Sequence, residues 1–207
     1  MIETKIIATA NQKGDCGKTT ITMQLAGALG KENCKVLVVD ADPQGTATRW
    51  AANAEDDSPF PATIAGLSAA GGKVHREIKK YLGQYDYIFI DCPPAVENPA
   101  PQSALMIADL VLIPIIPSPT DLWAAVGIQA LVERMKDINE NLKAKLVANM
   151  CQPNTSLAKE VLELLNTFGI DKMSNSLCLR TAYRQSAVFG GTVFDIKEAG
   201  KAQYEIN

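Results

Sequence analysis

The sequence predicts an α/β fold with a doubly wound, mostly parallel β-sheet flanked by helices, and three observations support it. Short apolar runs alternate along the chain with segments of helical period. These runs are nearly continuous in Val, Ile and Leu, as in strands that are covered on both faces. The chain has 207 residues, 47% of them hydrophobic, which suits one layered domain over 1–207.

The predicted strands are separated by predicted helices throughout the chain. Strands are expected at Lys5–Thr9, Lys35–Asp40, Tyr85–Asp91, Leu110–Ile115 and Lys145–Asn149. Helices are expected at Thr19–Leu29, Thr46–Ala54, Lys73–Leu82, Pro99–Ala108, Asp121–Ile138 and Ser156–Phe168. The segment Glu55–Gly72 is rich in Pro, Gly, Ser and Ala, so we expect a loop with a brief strand or turn. Sheets of this kind bind ligands beyond the carboxyl ends of their strands, where the informative polar residues fall.

The bulk composition narrows the class of protein. A net charge of −3 and a pI of about 5.3 argue against wholesale electrostatic binding to nucleic acid, although a local basic patch is compatible with both. The five cysteines are scattered and form no C-x-x-C, so the sequence indicates a reducing cytoplasm. No run approaches 18 apolar residues and no signal peptide precedes the first strand, so we expect no membrane span.

A turn rich in glycine and lysine joins the first strand to the first helix. Residues 10–20 read Ala-Asn-Gln-Lys-Gly-Asp-Cys-Gly-Lys-Thr-Thr, the setting that a phosphate-binding loop requires. The glycines let the backbone curl around a polyphosphate, and the helix N-terminus offers free N–H groups. Lys18 can reach the β- and γ-phosphates, and the Thr19 hydroxyl can hold Mg²⁺. The alternative is a plain turn between a strand and a helix.

The second strand ends in two carboxylates, within Val38-Val39-Asp40-Ala41-Asp42-Pro43-Gln44-Gly45. Asp40 and Asp42 should therefore lie beside the glycine-rich loop, where they can bind Mg²⁺ through water or orient an attacking water. The alternative is an acidic turn that caps the next helix.

The third apolar run ends in Asp91-Cys92-Pro93-Pro94. A carboxylate at such a strand end can hold Mg²⁺ through water beside Thr19. The neighbouring Cys92 could suggest redox or metal chemistry, but a buried, inert thiol accounts for it better.

The two later strands have distinctive exits. After Leu110–Ile115 the prolines of Ile116-Pro117-Ser118-Pro119 stop the strand, and Thr120 or Asp121 could cap the next helix. The last strand ends at Asn149, which could simply cap the loop that follows it.

Taken together, these motifs resemble the ParA/MinD family of deviant Walker A ATPases. The pattern K-G-x-x-G-K-T-T carries an extra lysine, Lys13, and Gln12 replaces the first glycine of the ordinary motif. D-x-D-P-Q-G resembles the switch I segment of that family, and D-x-P-P resembles its Walker B segment. R-x-x-Y-R-x-S, V-F and G-K-A-x-x-E near the C-terminus resemble the last third of ParA-type ATPases.

The resemblance implies ATP and Mg²⁺ as cofactors and assigns roles to residues. Lys13 would cross a dimer interface to the nucleotide of the partner subunit, Lys18 would bind phosphate within its own chain, and Asp42 would position the attacking water. Asn149 would read the adenine edge, and Asp15 stands where the family usually has a second glycine. Expected nucleotide contacts are Lys13, Gly14, Asp15, Cys16, Gly17, Lys18, Thr19, Thr20 and Asn149; expected metal-site residues are Thr19, Asp40 and Asp91.

The same resemblance implies a cellular task. An ATP-dependent sandwich dimer would bind DNA nonspecifically and position or segregate plasmid or protein cargo on the nucleoid, and a small adaptor or centromere-binding protein would stimulate hydrolysis. The candidate DNA contacts are Arg180, Arg184, Lys197 and Lys201, with a solvated charged surface as the alternative. MinD-type relatives have a basic amphipathic tail that anchors them to membranes, and the sequence does not contain such a tail. We therefore expect no membrane partner and a cytoplasmic, nucleoid-associated location. The rival functions are a membrane-cycling MinD-like enzyme, a metabolic relative, and a weakly hydrolysing, ATP-gated scaffold.

Overall fold

The structure is a computed structural model that describes residues 3–94, 98–152, 160, 163–165 and 168–207. Six strands form one sheet in the order β3-β2-β4-β1-β5-β6, and every pairing between neighbours is parallel. The predicted fold class is confirmed. The strands are β1 (Lys5–Thr9), β2 (Val36–Asp40), β3 (Thr63–Gly66), β4 (Tyr87–Asp91), β5 (Leu110–Ile115) and β6 (Lys143–Ala148).

Seven α-helices with defined bounds lie between and after these strands, and the described residues 160 and 163–165 are also helical. Three short 3₁₀ segments accompany them, at Ser68–Lys73, Lys79–Tyr81 and Val193–Asp195. The helices are α1 (Lys18–Lys31), α2 (Thr46–Ala52), α3 (Val74–Ile78), α4 (Pro99–Leu105), α5 (Pro119–Lys136), α6 (Thr181–Val188) and α7 (Gly200–Ile206).

Alternation of side chains along the strands divides the interior into two cores, one on each face of the sheet. In β1, Ile6 and Ala8 face the first core and Ile7 faces the second. In β2, Leu37 and Val39 face the first core, and Val36 and Val38 face the second. Helices α3, α4 and α5 cover the first face, and α1, α2, α6 and α7 cover the second. Burial on both faces explains why the strands contain almost uninterrupted apolar runs.

Most differences from the predicted elements lie at their ends. The brief strand expected within Glu55–Gly72 is confirmed as β3, which pairs with β2 at the edge of the sheet. The helix predicted over Lys73–Leu82 is correct only over Val74–Ile78, because 3₁₀ turns flank it on both sides. The helix predicted over Ser156–Phe168 lies largely outside the described residues.

One predicted helix cap was wrong. Helix α5 begins at Pro119, and the Oγ atom of Ser118, rather than Thr120 or Asp121, accepts the capping hydrogen bond, from the Asp121 N–H. The side chain of Asp121 is thereby left for another contact. Among the described residues, no helix is long and apolar enough to cross a membrane.

Candidate functional site

Three strand ends converge at the carboxyl edge of the sheet. Asp91 at the end of β4 lies in register with Thr9 of β1 on one side and with Asp40 of β2 on the other. The glycine-rich loop leaves β1 at this edge and leads into α1, which begins at Lys18. The loop, the first turn of α1 and the two carboxylates are therefore brought together as predicted.

The loop curls around the side chain of its second lysine. Lys18 is only 6% exposed, and its Nζ atom donates a hydrogen bond of 2.9 Å to the carbonyl oxygen of Lys13. Gly14 and Asp15 are exposed at the outer edge, and Asp15 has the positive φ of 56° that the family's glycine would adopt easily. Cys16 is fully buried, while Thr19 and Thr20 are half-buried in the first turn of α1.

Asn149 braces this loop from the end of β6. Its Nδ2 atom donates a hydrogen bond of 2.8 Å to the carbonyl oxygen of Cys16, and the residue is 4% exposed. Gly17 lies beside it with a φ of +90°, and a Cβ atom at this position would stand 2.1 Å from Asn149 Nδ2. The role of Asn149 in adenine recognition remains a prediction. The contact that the structure shows is its hydrogen bond to the loop backbone.

We expect Gly17→Ala to destabilise the protein by about 1–3 kcal/mol, because it combines a positive φ with a collision against Asn149. Chemical denaturation with urea measures the change. Gly83→Ala is the matched control, since Gly83 has a φ of +78° and nothing within 4 Å of the added Cβ atom. Equal losses for the two variants would show that the contact with Asn149 is unimportant.

Asp91 and Thr19 form the centre of a candidate cation site. Thr19 Oγ1 donates a hydrogen bond of 2.6 Å to Asp91 Oδ2, while the buried Oδ1 atom has no hydrogen-bond partner. The pKa of Asp91 is raised to about 7, mainly by burial and in part by the negative charge of Asp40. A carboxylate oxygen left unpaired in a buried, acidic setting, beside a hydroxyl, fits the hard oxygen ligands that Mg²⁺ prefers.

The two aspartates that follow β2 make different contacts. Asp40 is buried, and its Oδ2 atom accepts hydrogen bonds from the backbone N–H (2.9 Å) and the hydroxyl (2.8 Å) of Thr48 in α2. Asp42 is half-buried and accepts a hydrogen bond of 2.9 Å from the backbone N–H of Gln44. In the described ranges no ion pair joins Lys18 to Asp40.

Lys13 has a partner that the sequence did not reveal. Its Nζ atom lies 2.7 Å from Asp121 Oδ2 in α5; the Lys13 side chain is 40% exposed and that of Asp121 is 2% exposed. Ser118 donates a further hydrogen bond to the same carboxylate oxygen. The loop and α5 touch closely, since a Cβ atom at Gly127 would lie 2.0 Å from Gln12 Oε1. No local pattern could have predicted a contact between residues 108 positions apart.

The four basic candidates near the C-terminus divide into two groups. Arg184, Lys197 and Lys201 are exposed. Arg180 instead donates a hydrogen bond of 2.9 Å from its Nε atom to Glu205 in α7. Although burial alone would raise the pKa of Glu205, its hydrogen bonds, led by that from Arg180, hold the pKa below its usual value.

The five cysteines are free thiols, and one of them, Cys92, follows Asp91 directly. Cys92 is fully buried, and burial raises the pKa of its thiol well above the usual range, which agrees with the expected inert thiol. In the part of the chain that the structure describes, no group of three or more His, Cys, Asp or Glu residues is arranged to hold a metal ion.

The parallel sheet, the curled loop with a buried lysine, and the acidic strand ends define a P-loop nucleotide-binding protein. Comparison with known proteins gives the family. The chain belongs to the CobQ/CobB/MinD/ParA nucleotide-binding domain family, whose model matches residues 7–193. The resemblance to ParA/MinD proteins is confirmed.

Relatives within the family span nearly the whole chain. The Halothiobacillus neapolitanus protein "Maintenance of carboxysome distribution protein A" is 32% identical over 204 residues, covering 97% of this chain and 92% of the relative. The chromosome partitioning protein ParA of Caulobacter vibrioides is 26% identical and covers 97% and 91%. The ATP complex of a McdA variant from Cyanothece has a TM-score of 0.83 at 17% identity, covering 100% and 95%, and shows the same fold.

Proposed function

We propose that this protein is a ParA-type ATPase that binds ATP with Mg²⁺, forms a sandwich dimer, and positions cargo on DNA. The single observation that carries this proposal is the different placement of the two loop lysines. Lys18 points inward and is buried, whereas Lys13 stands at the rim of the loop and is 40% exposed. One lysine can serve the phosphates of its own chain while the other reaches a ligand held by a second subunit.

The phosphates of ATP would lie against the curled loop and the N-terminus of α1, where backbone N–H groups and Lys18 meet negative charge. Thr19, Asp91 and Asp40 would hold Mg²⁺, directly or through water. Mg²⁺ supplies positive charge that stabilises the triphosphate as the bond to the terminal phosphate breaks.

Hydrolysis would depend on Asp42. Its carboxylate is half-buried on the loop between β2 and α2, and the N–H of Gln44 orients it with a hydrogen bond of 2.9 Å. A carboxylate in this place can accept a hydrogen bond from the attacking water and orient it toward the terminal phosphate. We propose slow hydrolysis until a small adaptor protein completes this arrangement.

The names of the relatives favour a cargo-positioning role. One relative is named for carboxysome distribution and another for chromosome partitioning. We propose that this chain likewise moves a plasmid or a protein assembly along the nucleoid. ATP-dependent retention on nonspecific DNA, together with phosphate release that DNA and an adaptor increase, is the direct test. A protein that ignores DNA in the presence of ATP would contradict this role.

One observation favours a second candidate, the weakly hydrolysing, ATP-gated scaffold. Asp15 places an exposed carboxylate in the phosphate loop, at the position where a glycine is usual in the family. Repulsion between this carboxylate and the negative charge of the phosphates during hydrolysis would slow the reaction. Phosphate release by the wild type and by Asp15→Gly decides between the two, since the scaffold requires that only the variant hydrolyses ATP readily.

The DNA surface gives a further prediction. Arg184→Ala should weaken DNA binding by the ATP-bound protein to a similar degree for all sequences, and reduce the slope of log affinity against log salt by about 1. Fluorescence anisotropy at several salt concentrations measures both. Arg76→Ala is the matched control, because Arg76 is exposed on α3, on the opposite face of the sheet. A salt slope unchanged by the Arg184 substitution would show that Arg184 is not part of the DNA-binding surface.

A further inference from the structure

Helix α2 touches the candidate cation site at one end. The backbone N–H and hydroxyl of Thr48, in its first turn, both donate to Asp40 Oδ2. The other oxygen, Asp40 Oδ1, lies 3.3 Å from the backbone nitrogen of Asp42, which donates to it. Asp40 thus holds both the start of α2 and the loop that carries Asp42. A ligand that engages Asp40 must share this carboxylate with Thr48.

The other end of α2 is bonded to the segment that carries the basic candidates. Trp50 Nε1 donates a hydrogen bond of 2.9 Å to the carbonyl oxygen of Gly191, just after α6. Asn53, which follows α2, donates from Nδ2 to the carbonyl oxygen of Ala187 in α6, at 3.2 Å. One side chain in α2 and one directly after it are therefore hydrogen-bonded to the last turn of α6 and to the residues that follow α6.

These hydrogen bonds are supported by close packing of backbone on backbone. Gly190 has a φ of +65°, and a Cβ atom there would lie 2.1 Å from the backbone nitrogen of Ala54. The Trp50 ring is only 6% exposed and borders a cavity of about 150 Å³, which Asn149 and Arg184 also line. The close approach of Gly190 to Ala54 leaves little room for the end of α2 to move without displacing the residues that follow α6.

We infer that α2 couples the cation and phosphate site to the surface of α6, with Thr48 and Trp50 as positioning residues. Helix α2 has only seven residues, so it spans about 10 Å at 1.5 Å per residue and can move as one body. A change in the hydrogen bonds at Asp40 is passed through Trp50 to the Ala187–Gly191 backbone, and so to the orientation of Arg184. The coupling to DNA depends on the proposed function; the coupling between Asp40 and α6 does not.

The first test measures the coupling without DNA. Hydrogen exchange of the amides in 181–191 is followed with and without ATP and Mg²⁺, in the wild type, Trp50→Phe and Thr48→Val. We expect nucleotide to change the exchange rates of this segment in the wild type, and at least half of that change to disappear in each variant. Trp50→Phe keeps an aromatic ring but has no N–H group for Gly191.

Gln203→Met is the matched control. Gln203 Nε2 donates to the carbonyl oxygen of Val193 at 3.1 Å, which is also a bond between a side chain and the backbone of the C-terminal segment, but it involves no residue of α2. We expect this variant to respond to nucleotide as the wild type does. A purely structural effect of the Trp50 substitution would instead raise exchange in this segment equally with and without nucleotide, and would overturn the inference.

The second test uses DNA and separates the inference from the proposed function. A coupling between two ligands typically changes affinity by 5–150-fold. We expect the ATP-dependent increase in DNA affinity to fall at least about fivefold in Trp50→Phe and in Thr48→Val. In Trp50→Phe, whose substituted side chain does not touch Asp40, the ATP affinity in the absence of DNA should be nearly kept. An unchanged ratio in both variants would overturn the inference. DNA binding that ATP does not affect in the wild type would overturn the proposed function. The exchange experiment would still test whether α2 couples Asp40 to α6.

Discussion

Lys18→Met should weaken ATP binding by about 100-fold or more, with the fold retained. The Lys18 ammonium group is 6% exposed and stands inside the curled loop, so little water screens its attraction for a phosphate. Loss of one or two hydrogen bonds to a charged partner, at about 1.5–3 kcal/mol each, supports this magnitude, since 1.4 kcal/mol is a tenfold change. Isothermal titration calorimetry with ATP and Mg²⁺ measures the affinity directly.

The matched control lies at the other end of the same helix. Lys31 ends α1 and forms an exposed ion pair with Asp195, with a distance of 2.6 Å between Nζ and Oδ1. Lys31→Met should leave ATP affinity within about threefold of the wild type, because Lys31 stands at the opposite end of α1 from the loop, about 20 Å from Lys18 at 1.5 Å per residue. If Lys18→Met were to bind ATP as tightly as Lys31→Met, the loop would not be the phosphate site.

Lys13→Ala should abolish ATP-dependent dimerisation while leaving ATP binding by the monomer largely intact. The reason is that the Lys13 ammonium group lies at the rim of the loop, away from the buried Lys18, and is 40% exposed. Light scattering coupled to size exclusion, with ATP and Mg²⁺, gives the mass of each variant, and calorimetry gives the affinity of the monomer. Equal dimerisation of the variant and the wild type would refute the role across the interface.

The ion pair with Asp121 makes a sharper version of this experiment possible. In the structure Lys13 is bonded to Asp121 of its own chain, so it has to leave that carboxylate before it can reach a second subunit. Asp121→Asn removes the negative charge and should make dimerisation more favourable, whereas Lys13→Ala removes the group that crosses the interface. The two substitutions thus have opposite expected signs.

A double variant separates the loss of the Lys13 ammonium group from the loss of stability caused by an unpaired Asp121. Lys13→Ala leaves the 2% exposed carboxylate of Asp121 without its ammonium partner, which is costly for a buried charge. In Lys13→Ala/Asp121→Asn no unpaired carboxylate remains, so a monomer with a normal melting temperature would identify the missing ammonium group as the cause. Dimerisation of the double variant would show that Lys13→Ala acted only through the stranded charge of Asp121.

Strands were predicted more accurately than the ends of helices, for a physical reason. Lys5–Thr9 and Leu110–Ile115 were predicted with the bounds that the structure has. Both runs pack into cores on two faces, so every residue in them except Lys5 and Thr9 at the ends of the first run is apolar. The region from Lys73 to Leu82 follows no such rule, because only Val74 and Ile78 of the α3 helix are buried. With so few buried positions, the helical period says little about where α-helical geometry gives way to 3₁₀ turns.

The placement of the candidate site residues was predictable to a similar extent. Lys18, Thr19 and Asp91 lie together as expected, because parallel strands end at one edge of the sheet and a loop after β1 must meet the ends of its neighbours. The contacts that hold this site in place were not predicted. Asn149 braces the loop, and Thr48 binds Asp40; neither side chain belongs to a pattern that would suggest such a partner.

By itself, the sequence determined the parallel α/β sheet, the edge of the sheet at which the candidate site lies, and the loop, lysine and carboxylates placed there. These features depend on patterns within about ten residues, namely apolar runs, glycine spacing and polar strand ends. Only the tertiary structure decided that Lys13 is bonded to Asp121, and that Trp50 is bonded to Gly191, 141 positions away. Such contacts arise when whole helices pack, and sites of close approach such as Gly127 and Gly190 determine them, so no short stretch of sequence contains them.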